Sequence, residues 1–195
     1  MKALLTTRSL AVLLLVGVLA GCTSTVPTDT PGVDQLGRYM LRQTGPELDT
    51  VLGVRYATLN PGVEWLILEL AFSSPNRASG DIKRSDVFVR TPAGDRIPLA
   101  TQKEFGSEYP SLRSAIHKAS VARDPMDYFP PNRQECGLDF FAAPGSGVVF
   151  DELSLNDRRV CQGRMYFKVP GGVQPGRWVF GIDLEESTVR IPFTL

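Results

Sequence analysis

Beyond about residue 46, apolar and polar residues alternate with a period of two, and Pro or Gly breaks the alternation at short intervals. That pattern marks strands that bury one face and are joined by turns. In "TVLGVRYATLN" it puts Leu52, Val54 and Tyr56 on one face. In "EWLILELAFSS" it turns Leu66, Leu68, Leu70 and Phe72 inward and gives Trp65, Ile67, Glu69 and Ala71 to the other face. "SDVFVRTPAGDRIPLA" reads as a hairpin turning at Pro92, Ala93 and Gly94, and Pro98 in its return arm implies an edge or a strand end. After "VVFDELSL", the stretch "RRVCQGRMYFKVPGG" places Cys161, Met165, Phe167 and Val169 together. A final hairpin crosses "EES", with Trp178, Phe180, Ile182 and Leu184 on one strand and Val189, Ile191, Phe193 and Leu195 on the next.

Seven or eight short strands, each with one apolar face, cannot bury those faces in a single open layer, whereas two sheets packed face to face, or a closed barrel, can; spacing and turn chemistry fit an immunoglobulin-like sandwich better. The expected fold is therefore all-β, an immunoglobulin-like two-sheet sandwich over residues 47–195. One long segment, residues 101–147, departs from the alternation. Within it Leu112, Ala115, Ile116 and Ala119 recur at helical spacing, Pro110 stands where a helix can start, and Pro125 stands just past its end. The expectation is a short helical insertion on the sandwich.

The N-terminus changes the picture from a fold to an address. Lys2 and Arg8 precede an unbroken apolar run from Leu10 to Ala20, and no acidic residue lies in residues 1–21. This is the charged and apolar part of a secretory signal, too short to span a bilayer, which takes about 20 apolar residues. The run closes on Leu19, Ala20, Gly21 and Cys22, which resembles the lipobox of bacterial lipoproteins. That resemblance implies a signal peptide over residues 1–21, cleavage after Gly21 and lipid attachment at Cys22. Two or three acyl chains, at about 0.8 kcal/mol per buried methylene, hold a protein on a membrane where one lets it go. Thr23, in place of Asp, resembles the signal for transfer to an outer membrane, on its periplasmic face, where the organism has one. Residues 22–46, rich at first in Thr, Pro and Gly, read as a flexible tether, with Tyr39, Met40 and Leu41 able to dock at its far end.

Removal of residues 1–21 leaves 19 basic and 21 acidic residues, a net charge of −2. No basic excess points to nucleic acid or anionic lipid as a partner. With Cys22 taken by lipid, Cys136 and Cys161 remain as a pair in an exported protein, and a disulfide between them is expected. With 24 residues between them, closing the loop stabilises the fold by roughly 3 to 3.5 kcal/mol on the chain-entropy account. Zinc is the rival reading, but two cysteines and one histidine fall short of four ligands.

Candidate chemistry is sparse. His117 is the single histidine and lies off the apolar stripe of the insertion helix. A hydrolase built on it would draw on Asp124 and Asp127, yet Ser146 in "PGSGV" lacks the elbow motif of a serine nucleophile. Asp151 with Glu152, and Glu185 with Glu186, are sequence neighbours and point to opposite faces of a strand. Neither a calcium loop nor a phosphate-binding glycine loop is present, so no cofactor or metal is expected. What remains is aromatic: Tyr109, Tyr128 and Phe129 in the insertion are the candidate partner-binding residues, with a fold-back role as the alternative.

At "EWLILELAFSS", "VFVRTPAGDRIPLA" and "CQGRMYFKVPGG", over about residues 50–100 and 147–195, the chain resembles a family of bacterial immunoglobulin-like domains of unknown function. The family occurs in lipoproteins and in secreted mycobacterial immunogenic antigens. The resemblance implies a sandwich, export, and a binding or structural role without known catalytic residues. The insertion and the Cys136, Cys161 pair depart from that pattern. The reading that results is a non-enzymatic, membrane-anchored lipoprotein of the bacterial cell envelope, with an envelope protein or a glycan as partner; the alternative is the hydrolase of His117, Asp124 and Asp127.

Overall fold

A computed structural model describes residues 32–75 and 80–195. The expected signal peptide of residues 1–21, Cys22 and the first part of the expected tether, up to residue 31, lie outside these residues. The described chain runs β1 (Val33–Gly37), β2 (Met40–Thr44), β3 (Asp49–Gly53), α1 (Arg55–Leu59), β4 (Trp65–Ser73), β5 (Gly80–Lys83), β6 (Val87–Arg90) and β7 (Arg96–Pro98). It continues with α2 (Gln102–Val121), β8 (Gln134–Gly137), β9 (Glu152–Leu155), β10 (Arg159–Lys168), β11 (Arg177–Asp183) and β12 (Thr188–Thr194).

Two sheets pack face to face, one ordered β1-β2-β3-β4-β10-β8 and the other β12-β11-β6-β7, with β5 and β9 pairing separately. The orders β3-β4-β10-β8 and β12-β11-β6-β7 match the A-B-E-D and G-F-C-C′ sheets of an immunoglobulin-like sandwich. Two features are added. The β1–β2 hairpin extends the first sheet past β3, and β8 lies parallel to β10, where the usual fourth strand of that sheet is antiparallel. The core is the one the alternation predicts: Leu66, Leu68, Leu70 and Phe72 of β4 and Met165 and Phe167 of β10 meet Trp178, Phe180 and Ile182 of β11 and Val189, Ile191 and Phe193 of β12. The indole of Trp178 donates to the Gln174 carbonyl at 2.9 Å, which removes the cost of burying its N–H.

Three expectations are corrected. The tether of residues 22–46 does not extend to Pro46, because β1 and β2 occupy its second half. Val33 and Leu41 enter the sandwich core, and the Gln43 side-chain oxygen accepts from the Arg190 backbone at 2.7 Å, bridging β2 to the other sheet. Tyr56 does not share a face with Leu52 and Val54; the chain turns into α1 at Arg55 and carries Tyr56 to the outer side of the sheet. The insertion helix is not confined to the stretch after Pro110. It begins at a Thr101 cap, whose hydroxyl accepts from the Glu104 backbone at 3.1 Å while the Glu104 carboxylate accepts from the Thr101 backbone at 2.8 Å. That reciprocal pair fills two orphan donors of the first turn and starts the helix two turns earlier. Pro110 then sits inside α2 and leaves the Gly106 carbonyl without its helical donor.

The second face of β4 is covered. Trp65 and Ile67 of β4, with Tyr56 and Tyr166, pack against Phe105, Leu112 and Ala119 of α2. The apolar stripe read from Leu112 to Ala119 thus extends upstream through Tyr109 and Phe105, and its partner is the outside of the six-stranded sheet. The molecule has three layers: helix, sheet, sheet. Among the described residues no helix is long and apolar enough to cross a membrane.

Candidate functional site

The layer outside the six-stranded sheet is incomplete, and the gap in it is the candidate site. Helix α2 is fixed at its middle by Glu108, which accepts from the Trp65 indole at 2.9 Å and pairs with Lys168. At its start the Gln102 side-chain amide donates to the Ala142 carbonyl at 2.8 Å and accepts from the Ala142 N–H at 3.1 Å. Those bonds tie the helix to the loop that follows β8. Arg84 secures the same loop from beneath. Its guanidinium donates to the Ala100 carbonyl at 2.6 Å and to the Phe140 carbonyl, pairs with Asp151 at 2.7 Å, and lies 4.9 Å from the Phe141 ring centre.

The disulfide expected between Cys136 and Cys161 is present and joins β8 to β10 at directly opposed positions. It holds the strand that leads into Leu138. Gly163 faces Leu138 so closely that a Cβ there would stand 3.1 Å from the Leu138 Cβ, which explains glycine in the middle of a central strand.

Between α2, the segment that follows it and this loop lies a cleft of about 690 Å3, within the range of small-molecule sites, roughly 300 to 1,000 Å3. Its floor is the outer face of the sheet, with Glu69 of β4 and Gln162 and Arg164 of β10. One wall is aromatic: Phe105 packs on Tyr109, Phe141 and Tyr166 with ring centres 5.6, 5.1 and 4.8 Å away. The other wall is Arg123, Asp124 and Asp127, from the segment after α2.

The floor is electrostatically tense. Burial pushes the Glu69 carboxyl above its ordinary range, while Arg164 and Arg123 pull it back and Asp124 adds to the rise. Glu69 and Arg164 form an ion pair at 3.4 Å, with both side chains mostly covered. Burial likewise raises the Tyr166 hydroxyl. Asp124 pairs with Arg55 at 3.0 Å. Among the described residues, Asp124 Oδ2 and Arg164 Nε are buried without a hydrogen-bond partner, an arrangement costing about 1 to 3 kcal/mol per group. Both belong to residues that line the cleft.

The candidates read from the sequence separate. Tyr109, Asp124 and Asp127 line the cleft. Tyr128 and Phe129 do not; half-buried, they pack with Leu36 and Met126 over Met40, Val51, Ala71 and Val160, closing the outer face of the sheet beside the cleft. His117 is exposed on α2 and does not line the cleft with the two aspartates. Among the described residues no group of three or more His, Cys, Asp or Glu is placed to hold a metal ion. Glu69, Arg164 and Tyr166 went unmarked in the sequence. The signal for the first two was a lone carboxylate in the apolar run of β4 and, in β10, an arginine in the strand interior besides the basic residues at its two ends, charges where both faces of a strand are being buried. Comparison with family models, curated proteins and solved structures finds no match for this chain.

Proposed function

We propose that this chain is a lipid-anchored protein of the bacterial cell envelope that works without catalysis, as a binding module whose site is the cleft under α2. The observation that carries the reading is the cleft's construction. The insertion is spent on walling a groove over the outer sheet face, through the Arg84, Gln102 and disulfide fastenings, and the groove collects charged and aromatic side chains. A rigid frame with convergent polar groups is how small-ligand sites are built. The LAGC segment ending at Cys22 supports lipid attachment, Thr23 supports the periplasmic face of an outer membrane, and the resemblance to bacterial immunoglobulin-like lipoprotein domains supports the same compartment.

The hydrolase reading has less behind it. Its carboxylates Asp124 and Asp127 line the cleft, but His117, the histidine that reading is built on, does not.

The test is position-dependent crosslinking in intact cells. A photo-reactive residue at Ala143, on the cleft, is compared with one at Thr188, an exposed position on β12 in the opposite sheet, in chains with Cys22 intact or changed to Ser. Adducts are expected from Ala143 and not from Thr188, and the Cys22→Ser chain is expected to leave the membrane fraction. Equal adducts from both positions would remove the cleft from the account; membrane retention of Cys22→Ser would remove the lipid anchor.

A further inference from the structure

We propose that the cleft binds a short, electrically neutral oligosaccharide, an inference that rests on the reading of the cleft as the binding site. Four observations lead to it. First, the charges lining the groove nearly cancel: Glu69, Asp124 and Asp127 face Arg123 and Arg164, and Arg55 pairs with Asp124 from outside the lining. An ionic ligand of either sign would meet as much repulsion as attraction, whereas a neutral ligand with many hydroxyls meets donors and acceptors side by side. Second, these groups are planar and two-pronged. Carboxylates, the Gln162 amide and the Arg164 guanidinium each engage two neighbouring hydroxyls, the arrangement that vicinal diols on a pyranose present.

Third, the opposite wall is aromatic and stiff. Phe105 and Tyr166 are buried while Tyr109 and Phe141 remain half-exposed, and all four rings brace one another. Rings held by packing offer apolar surface at little entropic cost, suited to the C–H face of a sugar. Fourth, the position of the groove disfavours an extended peptide. It lies over β4 and β10, two central strands paired with each other along Trp65–Phe72 and Cys161–Lys168, so their backbone groups are occupied. Recognition of a peptide strand by added β-pairing needs a free sheet edge. On this floor a ligand meets side chains and no free strand backbone. The unpartnered Asp124 Oδ2 and Arg164 Nε mark one acceptor and one donor beside the groove that a small side-chain rotation could offer to hydroxyls.

The test uses the full mature protein, extracted in mild detergent, on an array of immobilised neutral and acidic oligosaccharides with zwitterionic and acidic peptides alongside, followed by titration calorimetry with the best-retained soluble glycan. Neutral oligosaccharides should be retained, with a dissociation constant of about millimolar or tighter. Tyr109→Ala and Arg164→Lys should each weaken binding by about tenfold, the loss carried by one stacking or charge-assisted contact, and Tyr109→Phe should restore it. Thermal melts of each variant exclude loss of fold as the cause. Retention of peptides but not glycans, or glycan binding indifferent to both Tyr109→Ala and Arg164→Lys, would overturn the proposal. If the array is blank while Ala143 still crosslinks in cells, the ligand class is wrong and the cleft stands; if both are blank, the cleft reading falls with it.

Discussion

Phe88 lies over Gly181 on the outer face of the four-stranded sheet, and a Cβ on that glycine would come within 2.3 Å of the ring. The guanidinium carbons of Arg96 and Arg190 stand 3.5 and 4.9 Å from the ring centre, and both arginines pair with Asp183. This cluster explains a glycine in the middle of β11 that the alternation left without a reason. Gly181→Ala should lower stability by on the order of 1 to 3 kcal/mol through overpacking, read as a fall in denaturant midpoint, and Phe88→Leu in the same chain should recover part of the loss. Tyr128 and Phe129 make a contrasting case. Their aromatic character pointed to recognition, yet they are packed over Met40 and Val51. Replacing both with Ala should cost roughly 1 to 3 kcal/mol, as expected for half-buried rings, and leave Ala143 crosslinking unchanged; stable protein with lost crosslinking would return them to the binding surface.

Helix α2 shows how a local signal can be outranked by a nearby one. Pro110 invites a helix start, but the "TQKE" at Thr101–Glu104 is a capping box, and Phe105 and Tyr109 bring two more apolar positions onto the same stripe. The Thr101 backbone, then its hydroxyl, hold the Glu104 carboxyl below its ordinary range. A carboxyl depressed in the folded state stabilises at pH above its unfolded value and loses that contribution as pH falls through the lower, folded value. Glu104→Gln should therefore be slightly less stable than the parent at neutral pH, by no more than about 0.5 kcal/mol for so exposed a group. The difference should close as melts are repeated from pH 6 down through the carboxylate range. A gap that persists or widens in acid would mean that the charge is not what stabilises the cap.

The insertion is part of the body of the protein. It buries Trp65, Ile67 and Tyr166 on the outside of a sheet whose inside already forms the sandwich core. Replacing residues 102–133 with a short Gly-Ser linker should not yield a trimmed, well-behaved sandwich. It would bare a contiguous apolar face of the kind that drives association, so size-exclusion chromatography should show oligomers or precipitate. A monomeric product of unchanged melting temperature would show the third layer to be dispensable.

How far the sequence reaches follows from the range of the forces involved. Period-two alternation is a local consequence of the strand pleat, so β4, β10, β11 and β12, their inward residues, the hairpin turns and the need for two stacked sheets were all legible. The disulfide was legible as well, once the N-terminal segment was read as an export signal and Cys22 as a lipid site, which left two cysteines to pair. The β1–β2 hairpin was not: its apolar residues are few, and its place depends on pairing with β3 and on the Gln43 bond to the Arg190 backbone, 147 residues away. The cleft was hidden for the same reason. Glu69 and Arg164 are separated by 95 residues, and a strand's periodicity tells which residues share a face without telling what lies over that face. Folding α2 back onto β4 and β10 turned an apparent outer surface into a second buried layer, and the stretch it leaves uncovered is the candidate cleft.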